Sequence, residues 1–258
     1  MQLIAHRVFD DHDELGHFCP SRIEGCRGAE LDVRDDATGE AVVLHTPVFR
    51  RASGRNPSVR KPLADAIDLL AQVGGGLETL FLDIKSARAG ALAARLLRAM
   101  RPRFDVSFTC WRPEDADAVR SELPAARILY VVAPIVVRRA PARLSDLWLC
   151  NSFPFLLSSK RFTPREEKAN RHNINVRMAS TERLAETLPA GVDGLCVHRL
   201  FASERLFDFA ESRDLSVAVY GLRARSGPKV AALEDVVDYA IVKAAKSRKA
   251  KRNLERAA

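Results

Sequence analysis

Short apolar runs of four to six residues recur along the chain, separated by stretches whose apolar positions follow a helical period. Strands are expected over residues 3–6, 29–33, 42–45, 80–84, 106–110, 128–132, 147–150, 195–198, 217–221 and 239–242. Helices are expected over 62–73, 89–100, 113–123, 203–212 and 233–237. Pro62 and Pro113 stand where a first helical turn accepts a residue without an amide donor. Gly74, Gly75 and Gly76 follow a helix and precede a strand, so they read as a helix stop and turn.

Continuous apolar strands alternating with helices imply parallel pairing with both faces covered. A chain of 258 residues then has two natural architectures, a closed (β/α)8 barrel and an open doubly wound sheet. The dinucleotide-binding form of the open sheet needs GxGxxG after its first strand, and HRVFDD stands there instead. The α/β (β/α)8 TIM barrel is therefore expected, as one domain over residues 1–243 with an elaborated loop region around 141–189 and a basic tail over 244–258.

Composition narrows the setting. No apolar run approaches the length of a membrane span. The N-terminus lacks the layout of a signal peptide, and Cys19, Cys26, Cys110, Cys150 and Cys196 lack paired spacing, so a cytoplasmic location is expected. Net charge is +8, from 41 Lys and Arg against 33 Asp and Glu, which favours phosphate-bearing partners without choosing among them. The run KAAKSRKAKR at 243–252 reads first as a solvated helix end and second as an anionic-membrane contact. No nucleic-acid motif accompanies it, and with 7% aromatic residues a stacking platform for bases is not evident.

Charge is concentrated at strand ends. LIAHR places His6 and Arg7 after an apolar run, and GAELDVR places Glu30 and Asp32 two apart, on one side of a strand. LFLDIK repeats the device with Asp83 and Lys85, and VVLH ends in His45. Carboxyl ends of barrel strands converge on one rim, where catalytic groups gather. Three carboxylates meeting there repel one another unless a cation sits among them, and an oxygen-only set suits Mg²⁺ or Ca²⁺. Two histidines beside it can act as general base and acid. Lys85 and Arg7 can hold the charge of a phosphoryl group.

On these residues the chain resembles the glycerophosphodiester phosphodiesterase family. The matching motifs are LIAHR, GAELDV, VVLH, KPLADAI and LFLDIK, with VSF, SVAVYGL and VDYAIVK as looser counterparts further on. The likeness covers roughly the first 110 residues well and the last 40 loosely. It implies a TIM barrel of the PLC-like phosphodiesterase superfamily, metal ligands Glu30, Asp32 and Asp83, catalytic His6 and His45, and phosphate contacts from Arg7 and Lys85. The implied reaction is metal-dependent hydrolysis of a glycerophosphodiester, releasing glycerol 3-phosphate and an alcohol. The chain departs from the pattern at Val8, where glycine follows HR in the family, at Thr46, where Asp is usual, and at Asp83, where Glu is commoner. A PENT element is absent, and DDHDELGHFCPSR, with His12 and His17, takes its place. Three alternatives remain open: a phospholipase D-like or lysophospholipid-directed enzyme, a phosphodiester-forming transferase, and a catalytically silent barrel that binds phosphorylated ligands. His198, Phe108, Trp111 and Tyr220 are candidates for the rim, the last three for an alcohol pocket, and structural roles compete for each.

Overall fold

A computed structural model describes residues 1–9, 18, 20–44, 61–132, 135–138, 174–177, 181–199, 201–223 and 230–243. Among them, eight parallel strands close on themselves. They are β1 (Gln2–His6), β2 (Gly28–Asp35), β5 (Thr79–Ile84), β6 (Asp105–Cys110), β7 (Arg127–Val132), β10 (Gly194–His198), β11 (Ser216–Arg223) and β12 (Tyr239–Lys243). Closure runs through β1, which pairs in parallel with β12 on one side (Gln2 opposite Tyr239) and β2 on the other (His6 opposite Glu30). This is the expected (β/α)8 barrel.

Helices α1 (Leu63–Val73), α2 (Ala87–Met100), α3 (Pro113–Glu122), α4 (Thr181–Thr187) and α5 (Glu204–Glu211) lie between barrel strands. The side chains of one strand parity pack outward beneath them: Ala29, Leu31, Val33, Leu80, Leu82, Ile84 and Phe108 share a core with Leu63, Ile67, Leu70, Ala93 and Leu97. The opposite parity fills the lumen, where Ile4, Phe81, Leu129, Val131, Cys196, Ala218, Tyr239 and Ile241 form a separate cluster. Polar residues of that inner parity, at the carboxyl ends of the same strands, are thereby delivered to one mouth. Gly28 belongs to it as well. A Cβ there would lie 2.4 Å from Ile4 Cδ1 and 2.9 Å from the Thr79 carbonyl oxygen, so glycine permits the approach of β1 and β5 around β2.

Several sequence expectations need correction. The strand expected from Val42 is present, but it lies outside the barrel wall. β3 (Ala41–Val43) runs antiparallel to the distal end of β2, with Val43 opposite Val33, and is itself capped by β4 (Lys61–Pro62). The apolar run was legible, but β2 extends two residues past its expected carboxyl end and offers that overhang as a pairing edge. Pro62 precedes α1 instead of opening it, with φ −52° and ψ 139°. Residues 233–236 form turns carrying i→i+3 bonds, such as Val236 N–H to the Leu233 carbonyl at 3.2 Å, while Leu233 and Val237 pack into the core without a continuous helix. Phe108 faces the helices and not the mouth. The region between β7 and β10 contains an antiparallel pair, β8 (Ile135–Arg138) with β9 (Ile174–Arg177), and then α4. Residues 139–173, with the strand expected at 147–150, and the tail over 244–258 lie outside the described residues, as do His12, His17, His45 and Thr46. No described helix is long and apolar enough to cross a membrane. Cys26, Cys110 and Cys196 are free thiols.

Candidate active site

β2 and β5 build the centre. Their register sets Glu30 opposite Phe81 and Asp32 opposite Asp83, so two carboxylates rise on one strand and the third stands beside them on the next. One oxygen of each of Glu30, Asp32 and Asp83 lies within 4.8 Å of the others. Glu30 and Asp32 are 3% and 4% exposed, a degree of burial that acidic residues accept only when paired.

The pairing comes from three elements. Lys85, two residues after Asp83 and on the same side, bridges Asp32 and Asp83, with Nζ 2.6 Å from Asp32 Oδ1. Arg7 contributes twice: its backbone N–H donates to Glu30 Oε2 at 3.0 Å, and its Nε lies 3.4 Å from Asp32 Oδ2. That backbone contact requires Arg7 to take φ +55°, a left-handed conformation unusual for a residue with a side chain. Arg22 braces the turn by donating from Nη1 to the carbonyl oxygens of Arg7 at 2.6 Å and Phe9 at 3.0 Å. His6 Nε2 lies 3.9 Å from Glu30 Oε2.

On the far side, Trp111 Nε1 donates to Asp83 Oδ1 at 2.7 Å. Its ring meets Tyr220 at 6.3 Å, and Tyr220 meets His198 at 5.1 Å, both edge to face. Gly221 follows with φ +84°, and a Cβ there would fall 2.5 Å from His198 Nε2. An aromatic wall thus leads from the carboxylates across the ends of β6, β11 and β10.

The electrostatics show a surplus of negative charge. Burial, then the charges of Asp32 and Asp83, raise the Glu30 carboxyl well above the usual range, beyond what Lys85 and Arg7 offset. Burial also raises Asp83, against Lys85. Burial alone would lower Lys85, but Asp32, Asp83 and Glu30 together hold it above an ordinary lysine. The buried Cys196 thiol beneath the acids is pushed far up by desolvation and stays protonated.

Of the residues expected at the site, His6, Arg7, Glu30, Asp32, Asp83 and Lys85 are brought together, and His45 lies outside the described residues. Leu44 donates its N–H to the Asp32 carbonyl at 3.0 Å. Lys85 and Arg7 are engaged by the carboxylates. Sequence reasoning missed the Trp111 donor, although Ser107, Thr109 and Trp111 share one strand parity, and it missed Arg22, for which no periodic signal exists.

No family model matches the chain, and no curated protein matches it. Solved structures do. A protein provisionally assigned as a glycerophosphoryl diester phosphodiesterase from Silicibacter pomeroyi is similar with TM-score 0.60 and 14% identity, over 100% of this chain and 94% of that one. An Oleispira antarctica phosphodiesterase in complex with its product sn-glycerol-3-phosphate gives TM-score 0.58 and 14% identity, over 94% and 92%. An Agrobacterium tumefaciens glycerophosphodiester phosphodiesterase gives 0.52 and 13%, over 95% and 96%. Over nearly its whole length, this chain has the barrel fold that these phosphodiesterases share.

Proposed function

We propose that the chain is a divalent-cation-dependent phosphodiesterase of the glycerophosphodiester phosphodiesterase family, cleaving a glycerophosphodiester to glycerol 3-phosphate and an alcohol. The observation that carries this reading is the meeting of Glu30, Asp32, Asp83, Lys85, Arg7 and His6 at one mouth of the barrel. The fold shared with a phosphodiesterase solved with glycerol 3-phosphate supports it.

The donor set fits a cation. Two buried carboxylates and the partly buried Asp83 bring oxygen atoms within 4.8 Å of one another, and Glu30 is raised first by burial and then by the charges of Asp32 and Asp83. Oxygen ligands alone select a hard ion such as Mg²⁺ or Ca²⁺. Held by Glu30, Asp32 and Asp83, it would polarise a phosphoryl oxygen as a Lewis acid. Arg7 and Lys85 stabilise the charge that develops on the other phosphoryl oxygens. The adjacent glycerol hydroxyl attacks phosphorus, the alcohol departs, and water opens the cyclic ester. One histidine of the pair His6 and His45 takes the hydroxyl proton while the other protonates the leaving oxygen. His6 Nε2 stands 3.9 Å from Glu30 Oε2, at the edge of the acid cluster.

The test is glycerol 3-phosphate release from glycerophosphodiesters and lysophospholipids in Mg²⁺, Ca²⁺ or EDTA, with wild type beside His6→Ala and His45→Ala. Cation-dependent turnover is expected, reduced by about 10²–10⁴-fold in each variant. Turnover of lysophospholipids to an acyl-bearing phosphate product, with the deacylated glycerophosphodiesters left intact, would select the phospholipase D-like reading. A folded, cation-loaded protein inert on the whole panel would refute hydrolysis and leave a binding barrel or a transferase.

A further inference from the structure

We infer that Trp111 is a positioning residue for the cation site: its indole N–H and the Lys85 ammonium together fix the Asp83 carboxylate in the orientation that joins Glu30 and Asp32. The inference rests on the reading of those three acids as cation ligands. Asp83 is the most exposed of the three, its side chain 16% accessible against 4% for Asp32, so it has the least packing to restrain it. Lys85 draws Oδ2 toward Asp32, to which it is also bonded. A second donor on the other oxygen stops rotation about the Cβ–Cγ bond, and Trp111 Nε1 supplies it at 2.7 Å.

An indole suits this task. It donates one hydrogen bond, accepts none and does not titrate, so it directs the carboxylate without competing for the cation. The donor bonds one lone pair of Oδ1 and leaves the other available. The ring is itself restrained, with Lys85 Nζ 5.6 Å from its centroid and Tyr220 packed edgewise at 6.3 Å. Trp111 reaches Asp83 because it continues the inner parity of β6 one step beyond the strand, and β6 pairs Thr109 directly with Asp83.

The experiment measures Mg²⁺ and Mn²⁺ binding to the full chain by calorimetry. Wild type is compared with Trp111→Phe and with a protein in which benzothienyl-alanine replaces Trp111, keeping the bicyclic shape and losing only the N–H. Both replacements should weaken cation binding by about 10- to 100-fold, the range for removing a donor to a ligating group. Thermal unfolding of the cation-free benzothienyl protein should match wild type. Wild-type affinity in the benzothienyl protein would overturn the inference, since shape alone would then suffice. A wild type that binds neither cation would remove the cation reading and the inference with it. A wild type that binds while both replacements bind equally well would remove the inference alone.

Discussion

His198 illustrates how one residue's surroundings set its chemistry. It ends β10, faces Tyr220 and Phe201, and its imidazole is pushed down to about 4 by burial, with the charges of Arg199 and Lys243 adding to the effect. It therefore belongs to the aromatic wall as a neutral ring. The unfolded chain binds a proton at His198 below about pH 6.5, whereas the folded protein resists until about 4. Its stabilising effect is complete above 6.5 and is lost as pH falls from 6.5 to 4. Chemical denaturation across that window should show wild type losing more stability than His198→Gln, by at most about 3 kcal/mol. Equal losses would show that His198 titrates normally. Arg7 makes the complementary point. Its identity was readable as a candidate phosphate contact, but its φ of +55° and its backbone N–H to Glu30 were not. They depend on the ring of strands bringing β2 alongside β1.

Among the elements, period-two alternation carried most of the information. Glu30 and Asp32 on β2, and Asp83 with Lys85 at the end of β5, were legible as same-side pairs because side chains alternate along a regular strand. The relative register of β2 and β5, which sets Asp32 beside Asp83, was not legible, since hydrogen bonding between strands is the same at every register of equal parity. The junction after β5 is held by Ser86, which caps α2 by accepting from the Ala89 N–H at 3.1 Å and donates to Asp35 Oδ1 at 2.6 Å. Ser86→Ala should cost about 1 kcal/mol in urea unfolding with an unchanged m-value, the usual loss on removing a helix cap. A cost near zero would assign the cap no part in stability. Residues 233–237 misled because an apolar run of five residues does not carry a period long enough to separate helix from turn.

For the whole molecule, closure of the barrel through β1 concentrates three acids at one end, and folding is opposed by their repulsion. Any cation that binds only the folded state opposes that repulsion. At 100 times its dissociation constant it should stabilise the protein by about 2.7 kcal/mol, or roughly 5–10 °C in Tm. Differential scanning calorimetry with Mg²⁺ against EDTA checks this, with Asp32→Asn as the variant expected to lose the effect. An identical rise in the variant would mean that the cation binds elsewhere.

Composition and alternation by themselves pointed to the class of fold, to the shared side of Glu30 with Asp32 and of Asp83 with Lys85, and to the polar residues standing at strand ends. Both are local properties, fixed by backbone geometry within a few residues. Only the tertiary structure decided that Lys85 lies between two acids, that Trp111 holds Asp83 from across a strand, and that Arg22 braces the Arg7 turn. Apart from Lys85–Asp83, those contacts join residues 15 to 53 positions apart, and such separations close only when β5 is set between β2 and β6 and the chain after β1 turns back on itself.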